Sequence, residues 1–173
     1  MSRDLTAGME SAEILEARTD ADFATARSLF EEYAAALKVD LCFQDFSREL
    51  ERLPDMYGPP GGCLLIARAN DAVAGCVALR PFREAVCEMK RLYVRPEFRG
   101  RRLGSQLALE IIRRSRQLGY RRMVLDTLAS LQAANALYLS LGFQPCGPYN
   151  VNPLPDVRYW QLDMPAEIAD FRV

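Results

Sequence analysis

The chain has 173 residues, half of them hydrophobic and 26% charged, with a net charge of −1, the make-up of one soluble domain that needs neither disulfides nor a structural metal to fold. Histidine is absent, which excludes His-ligated zinc and Ser-His-Asp or Cys-His nucleophiles and leaves acid-base work to Asp, Glu, Tyr, Lys or water. No apolar run approaches the roughly 18 residues that cross a bilayer, and the five cysteines form no CxxC pair, so the sequence predicts a cytoplasmic protein with reduced thiols and no membrane association.

Residues 1–12 lack periodicity and are expected to be a disordered tail, with a single domain over 13–173. Glu13 to Arg18 alternates like a short strand, and Thr19 with Asp22 forms a capping-box variant that opens a helix carrying Phe23, Ala26, Phe30, Tyr33 and Leu37 on one face. A second short helix is predicted over Asp45 to Leu53, stopped by Pro54 and the turn-rich GPPGG. Three strands follow as a meander: Cys63 to Ala69, Val73 to Pro81 and Val86 to Val94. Next come a helix over Ser105 to Leu118, a buried strand over Arg122 to Thr127, a helix over Leu131 to Leu141, and two last strands over Phe143 to Tyr149 and Arg158 to Met164. This mixed order predicts an α/β layer fold around one sheet, without linker or internal repeat.

Charge is unevenly spread. Between Val86 and Arg122 stand ten Arg and Lys90 against Glu88, Glu97 and Glu110, a surplus of eight positive charges, so the rest of the chain carries nine negative in excess. Such a segment is suited to an anion. Within it, LYVRPEFRGRRLGSQL joins a strand to a helix, whose first turn leaves backbone N–H groups unpaired and partly positive, while glycine permits close approach of a phosphate. Neither a Walker lysine nor GxGxxG is present. By itself the junction fits a phosphate cradle and a plain helix start with a solvated Arg face about equally.

The wider context resembles the GNAT superfamily of acyl-CoA-dependent N-acyltransferases. Its signature, Q/R-x-x-G-x-G/A, is matched at its first and last positions by Arg99 and Gly104 in RGRRLG, with Arg102 at the middle glycine. The LYV-x-P-x-x-R-G approach, the apolar MVLDT strand and the AANALYLSLGF helix also match in order and spacing, from about Val73 to Phe143. The resemblance implies the GNAT fold: a mostly antiparallel, mixed central sheet of about six to seven strands flanked by about four helices. It also implies acetyl-CoA as co-substrate, with no metal.

Carried over by position, backbone groups of Leu92, Tyr93 and Val94 would meet the pantetheine arm and the thioester. Arg99, Gly100, Arg101, Arg102, Leu103, Gly104 and Ser105 would cradle the pyrophosphate. Leu131 stands where many members place a CoA-contacting Asn, and Asn135, near Tyr138 on the helix surface, is the candidate substitute, alongside the plain reading of a helix-surface polar residue.

Aminolysis of a thioester needs a neutral amine, and free alkyl amines with a pKa near ~10.4 are almost wholly protonated at pH 7. Position in the family assigns the base to Glu88 or Asp126, directly or through water, although either carboxylate could instead be paired with Arg91 or Arg122. A strand N–H, with Val94 chosen, would stabilise the oxyanion, and Tyr138 would protonate the departing thiolate. The acceptor is a small amine or a peptide N-terminus, with Gln44, Asp45, Arg80, Tyr149 and Asn152 as polar candidates to line its site. The rival reading is a non-catalytic CoA-binding or nucleic-acid-binding module. Nucleic acid is disfavoured, because Tyr93, Phe98 and Tyr120 do not interleave with the basic stripe. The resemblance allows a homodimer, for which the sequence shows no interface.

Overall fold

The computed structural model of the chain describes residues 12–38, 41 and 45–165. All but Ala12 of the expected tail, together with Cys42 and Gln44, lies outside those residues. Within them, seven strands form one sheet: β1 (Glu13–Glu16), β2 (Cys63–Ala69), β3 (Ala72–Arg83), β4 (Val86–Val94), β5 (Arg122–Leu128), β6 (Gln144–Pro145) and β7 (Val157–Asp163). Their order is β1-β2-β3-β4-β5-β7-β6, antiparallel between all neighbours except β4 and β5, which are parallel. The parallel pair requires a crossover, which α4 (Leu103–Gln117) supplies. The other helices are α1 (Asp20–Leu37), α2 (Phe46–Glu51), α3 (Leu53–Tyr57) and α5 (Gln132–Ser140).

The central strands are buried on both faces, so their apolar residues run almost without interruption and sort by parity. Leu64 and Ile66 of β2 and Cys76 and Ala78 of β3 pack under Ala26, Leu29 and Phe30 of α1 and Tyr57 of α3. Their neighbours Leu65, Ala67, Val77 and Leu79 pack on the other face under Leu107 and Ile111 of α4. Each fully buried Leu, Ile or Phe contributes roughly 1.5–3 kcal/mol, so this two-sided core dominates the fold's stability.

The Thr19 capping box is present: Asp22 N–H donates to Thr19 Oγ1 at 3.2 Å, and Asp22 Oδ2 accepts from the backbone N–H of Arg18 and Thr19 at 3.0 and 2.9 Å. Those bonds, the one from Arg18 first, hold the Asp22 carboxyl below the usual carboxylate range.

Two sequence expectations are corrected here. The helix read as ending at Pro54 is two helices, because Pro54 sits in the first turn of α3, where its missing N–H needs no partner. The strand expected over Phe143 to Tyr149 is two residues long, Gln144–Pro145, with one further bond to β7 from Cys146 N–H to Tyr159 O at 2.9 Å. No helix among the described residues is long and apolar enough to cross a membrane.

One irregularity shapes everything that follows. Cys76 pairs with Tyr93 and Ala78 with Lys90, so β4 carries one residue more than β3 between those pairs, a β-bulge at Arg91 and Leu92. Arg91 takes φ +58 there. A bulge bends its strand and raises its twist. On its other side β4 pairs with β5 only over Val86–Glu88 with Arg122–Val124; beyond these the two parallel strands part, β4 staying with β3 and β5 with β7.

Candidate active site

The parting strands open a cleft floored by Met89 to Leu92 on β4 and Leu125 to Leu128 on β5. Tyr33, Leu37 and Leu41 close it on the α1 side, and Leu131, Ala134 and Tyr138 on the α5 side. Strand edges that separate this way expose backbone groups with no ladder partner, which an extended ligand arm can take up.

At the bulge, the backbone orientation is settled by one bond. Arg95 N–H donates to Ala74 O at 2.9 Å across the β3 side. Polar groups of successive residues in an extended strand point to opposite sides, so Val94 turns its N–H and C=O toward the gap. Its carbonyl accepts from Arg99 Nε at 3.0 Å. The Leu92 and Val94 side chains pack with the α4 core, while Tyr93 is buried on the opposite face, edge-on to Tyr33 with centroids 6.1 Å apart. Any contact these three make in the gap is therefore through the main chain.

Beyond Val94 the chain makes a short 3-10 turn at Pro96–Phe98 and enters α4 through the loop that holds the signature. Gly100 takes φ +79 and Arg102 φ +60. Arg102 thus occupies, as an exposed residue, the left-handed position that glycine adopts without strain, at a cost of about 1–2 kcal/mol. No side chain caps α4, leaving its first-turn N–H groups at Leu103, Gly104 and Ser105 without helical partners. A Cβ built on Gly104 would touch only Val94 Cγ2, at 3.8 Å. Arg101 lies over the Phe98 ring, 5.9 Å from its centroid. An uncapped N-terminus beside two left-handed residues and an Arg cluster fits a pyrophosphate.

The two candidate bases differ sharply. Glu88 is fully buried: Arg80 Nε reaches its Oε2 at 2.6 Å, Tyr149 OH donates to its Oε1 at 2.9 Å, and Lys90 Nζ stands 3.7 Å from Oε1. It does not line the cleft. Its partner is Arg80, directly across the β3–β4 ladder, whereas Arg91 goes to Glu49 and Arg122 to Asp163. Asp126 does line the cleft, and its Oδ2 accepts from Asn152 Nδ2 at 2.9 Å and Asn150 Nδ2 at 3.1 Å. Those two bonds orient the carboxylate, and Asn150 Oδ1 is buried with no partner among the described residues.

Lys90 also lines the cleft; burial lowers its ammonium, against the pull of Glu88. Tyr138 forms part of the wall and packs on Phe143. Burial pushes its phenol up, with Tyr33 and Asp126 adding to the shift.

Asn135 is committed elsewhere. Its Nδ2 donates to Leu128 O and Leu131 O, both at 2.9 Å, and its Oδ1 accepts from Trp160 Nε1 at 3.1 Å. It ties the start of α5 to β5 and β7, with both amide donors filled. Of the acceptor candidates, Asn152 reaches the cleft, Arg80 and Tyr149 serve Glu88, and Asp45 is exposed at the start of α2. The sequence reading missed Asn150 and the Glu49–Arg91 pair. Two adjacent cations in the otherwise alternating strand EMKRLYV were the signal for the bulge.

Comparison with known proteins points one way. A model of the acetyltransferase (GNAT) family matches residues 21–143. An uncharacterized N-acetyltransferase of Schizosaccharomyces pombe is 49% identical over 140 residues, covering 80% of this chain and 86% of that one. Among solved structures, a GNAT-family acetyltransferase of Staphylococcus aureus superposes with TM-score 0.74 at 18% identity, over 88% of this chain and 99% of the other. YncA of Salmonella typhimurium, described as a putative acetyltransferase with its cofactor acetyl-CoA, gives TM-score 0.65 at 22% identity, over 94% and 99%.

Proposed function

The chain belongs to the GNAT acetyltransferase family, and from that premise we propose that it moves an acetyl group directly from acetyl-CoA to a primary amine held in the cleft between β4 and β5. The observation that carries this reading is the parting of the two parallel strands after Glu88 and Val124, beside which Asp126 and Tyr138 line one cleft.

Bound acetyl-CoA would supply an activated acyl carbon. The first-turn N–H groups of α4, from Leu103 to Ser105, hold its pyrophosphate, and the Arg99 to Arg102 loop adds positive charge. The main chain of Leu92 to Val94 holds the pantetheine arm. Asp126 takes the acceptor's ammonium proton, directly or through water, its carboxylate aimed by Asn150 and Asn152. Glu88, with Arg80 and Tyr149 on its two oxygens, holds β3, β4 and the 149–152 turn together behind this base. Val94 N–H faces the gap and donates to the carbonyl oxygen as charge gathers there. Tyr138 stays protonated across the working pH range because burial raises its phenol. Full transfer from Tyr138 to a thiolate, whose conjugate acid sits near ~8.5, runs uphill, so Tyr138 hydrogen-bonds the departing sulfur, while the second proton of the newly acylated nitrogen passes to that sulfur or to water as the C–S bond breaks.

The test is thermal and then chemical. Saturating acetyl-CoA is expected to raise the unfolding midpoint where ATP and a short DNA duplex do not, and a panel of primary amines is then screened for CoA release. Asp126→Asn should abolish release while keeping the midpoint rise. A rise matched by the duplex, or Asp126→Asn turnover equal to wild type, refutes the assignment.

A further inference from the structure

Helix α2 is anchored in an unusual way. It has six residues, no side-chain cap, and a start at Asp45 with φ +56, so it lacks what a helix needs to hold itself. Its one buried residue is charged: Glu49. Both Glu49 oxygens go to Arg91 of the β4 bulge, Nε to Oε1 at 3.0 Å and Nη2 to Oε2 at 2.6 Å. Tyr57 of α3 donates to Glu49 Oε1 at 2.7 Å. The Arg91 guanidinium lies between two aromatic rings, 5.2 Å from the Phe46 centroid on α2 and 5.8 Å from Tyr33 on α1. Burial works to raise the Glu49 carboxyl, yet the Arg91 guanidinium against it holds it below the usual carboxylate range.

This pair joins two places that matter to one another. Arg91 is the residue that creates the bulge, three before Val94, and it lines the cleft together with Tyr33, Leu37 and Leu41. The bulge also places the Lys90 and Arg91 side chains on the same face of β4, where strict alternation would have separated them: Lys90 meets Glu88, Arg91 meets Glu49. The Arg91 carbonyl in turn accepts from the Cys76 thiol at 3.4 Å, which fixes the bulge from the β3 side. A bidentate fork held between rings fixes direction as well as distance, which a lysine or a hydrophobic contact would not.

We propose that the Glu49–Arg91 ion pair is a positioning device that locks α2 with α3 to the β4 bulge, so that the alignment of the strand amides from Leu92 to Val94 is set by that contact. This rests on the acyl-transfer reading for its kinetic consequence, but not for its structural one. Neither residue touches the reacting atoms; both act through what they hold.

The test uses Glu49→Gln and Arg91→Lys in the full chain, singly and together. In each single variant kcat should fall at least about tenfold, with a smaller acetyl-CoA midpoint rise because the same amides hold the pantetheine arm, and the double variant should be no worse than the poorer single, as two halves of one contact require. Wild-type kcat in both single variants, or additive losses in the double variant, would overturn the proposal.

Hydrogen exchange separates this from the acyl-transfer reading. If the wild type turns over no amine, faster exchange in Glu49→Gln at both Phe46–Glu51 and 90–94 still supports the lock, and faster exchange at the helix alone overturns it. Should Glu49→Gln fail to fold, Tyr57→Phe leaves the ion pair in place but removes one of Glu49's bonds. It should speed exchange at the same two segments, and a change confined to α3 would overturn the proposal.

Discussion

Replacing Gly104 by glutamate should make the free protein more stable and the bound one harder to form. Gly104 is the second residue of α4, and a Cβ there meets only Val94 Cγ2 at 3.8 Å, so a side chain has room. Removing a helical glycine gains about 0.5–1 kcal/mol. A carboxylate in the first turn adds about 0.3–1 kcal/mol through the helix dipole. Together, at about 2–4 °C per kcal/mol for a chain of this size, the free midpoint should rise by roughly 2–8 °C. The ligand moves the other way. At about 100 times its Kd, acetyl-CoA stabilises the wild type by about 2.7 kcal/mol, or roughly 5–11 °C. If the glutamate occupies the amides meant for the pyrophosphate and weakens binding about a hundredfold, the same concentration yields about 0.4 kcal/mol, near 1 °C. Differential scanning fluorimetry with and without acetyl-CoA reads both numbers, and Gly104→Ala is the control, with a higher free midpoint and an intact ligand shift. A glutamate variant whose ligand shift equals that of wild type would refute the placing of the pyrophosphate at α4. A lower free midpoint would refute the reading of the space around Gly104.

Gly75→Ala should destabilise: its Cβ would stand 2.3 Å from Tyr93 O, a backbone atom beside the bulge, and overpacking of this kind costs about 1–3 kcal/mol, or roughly 2–12 °C. A wild-type midpoint would show that the β3–β4 ladder yields there. Tyr138→Phe should lower kcat well beyond any change in acetyl-CoA affinity, and equal kcat values would remove its hydroxyl from the leaving-group step. Glu110, held at a pKa of about 2 by Arg113 first and then Arg114, has a folded value below its unfolded ~4.3. The unfolded chain binds more protons between those values, so the stabilisation is complete above about pH 4.3 and is lost as the pH falls toward 2. Glu110→Gln should flatten the stability profile in that window, less so at high salt because the group is partly solvated, and an unchanged acid slope would contradict the pairing.

What could be read in the chain was what local chemistry writes there. The Thr19 capping box, the Leu103, Leu107 and Ile111 stripe, and the strand–loop–helix junction at RGRRLG each express their structure within a few residues, and each is present. What could not be read depended on register. Glu88 faces Arg80 only because the β3–β4 ladder places them opposite, and that register depends on an irregularity at Phe82, between the Pro81–Cys87 and Arg83–Val86 pairs, which no local motif announces. Asp126 receives its two amides from 24 and 26 residues away, through a turn that sequence reading treats as a loop of polar residues. Arg102 shows the same limit from the other side. It stands at the middle glycine of the signature, takes the left-handed conformation that glycine would, and remains exposed. The loop's shape is thus kept at a cost of about 1–2 kcal/mol. The exposed guanidinium adds its positive charge beside the uncapped start of α4.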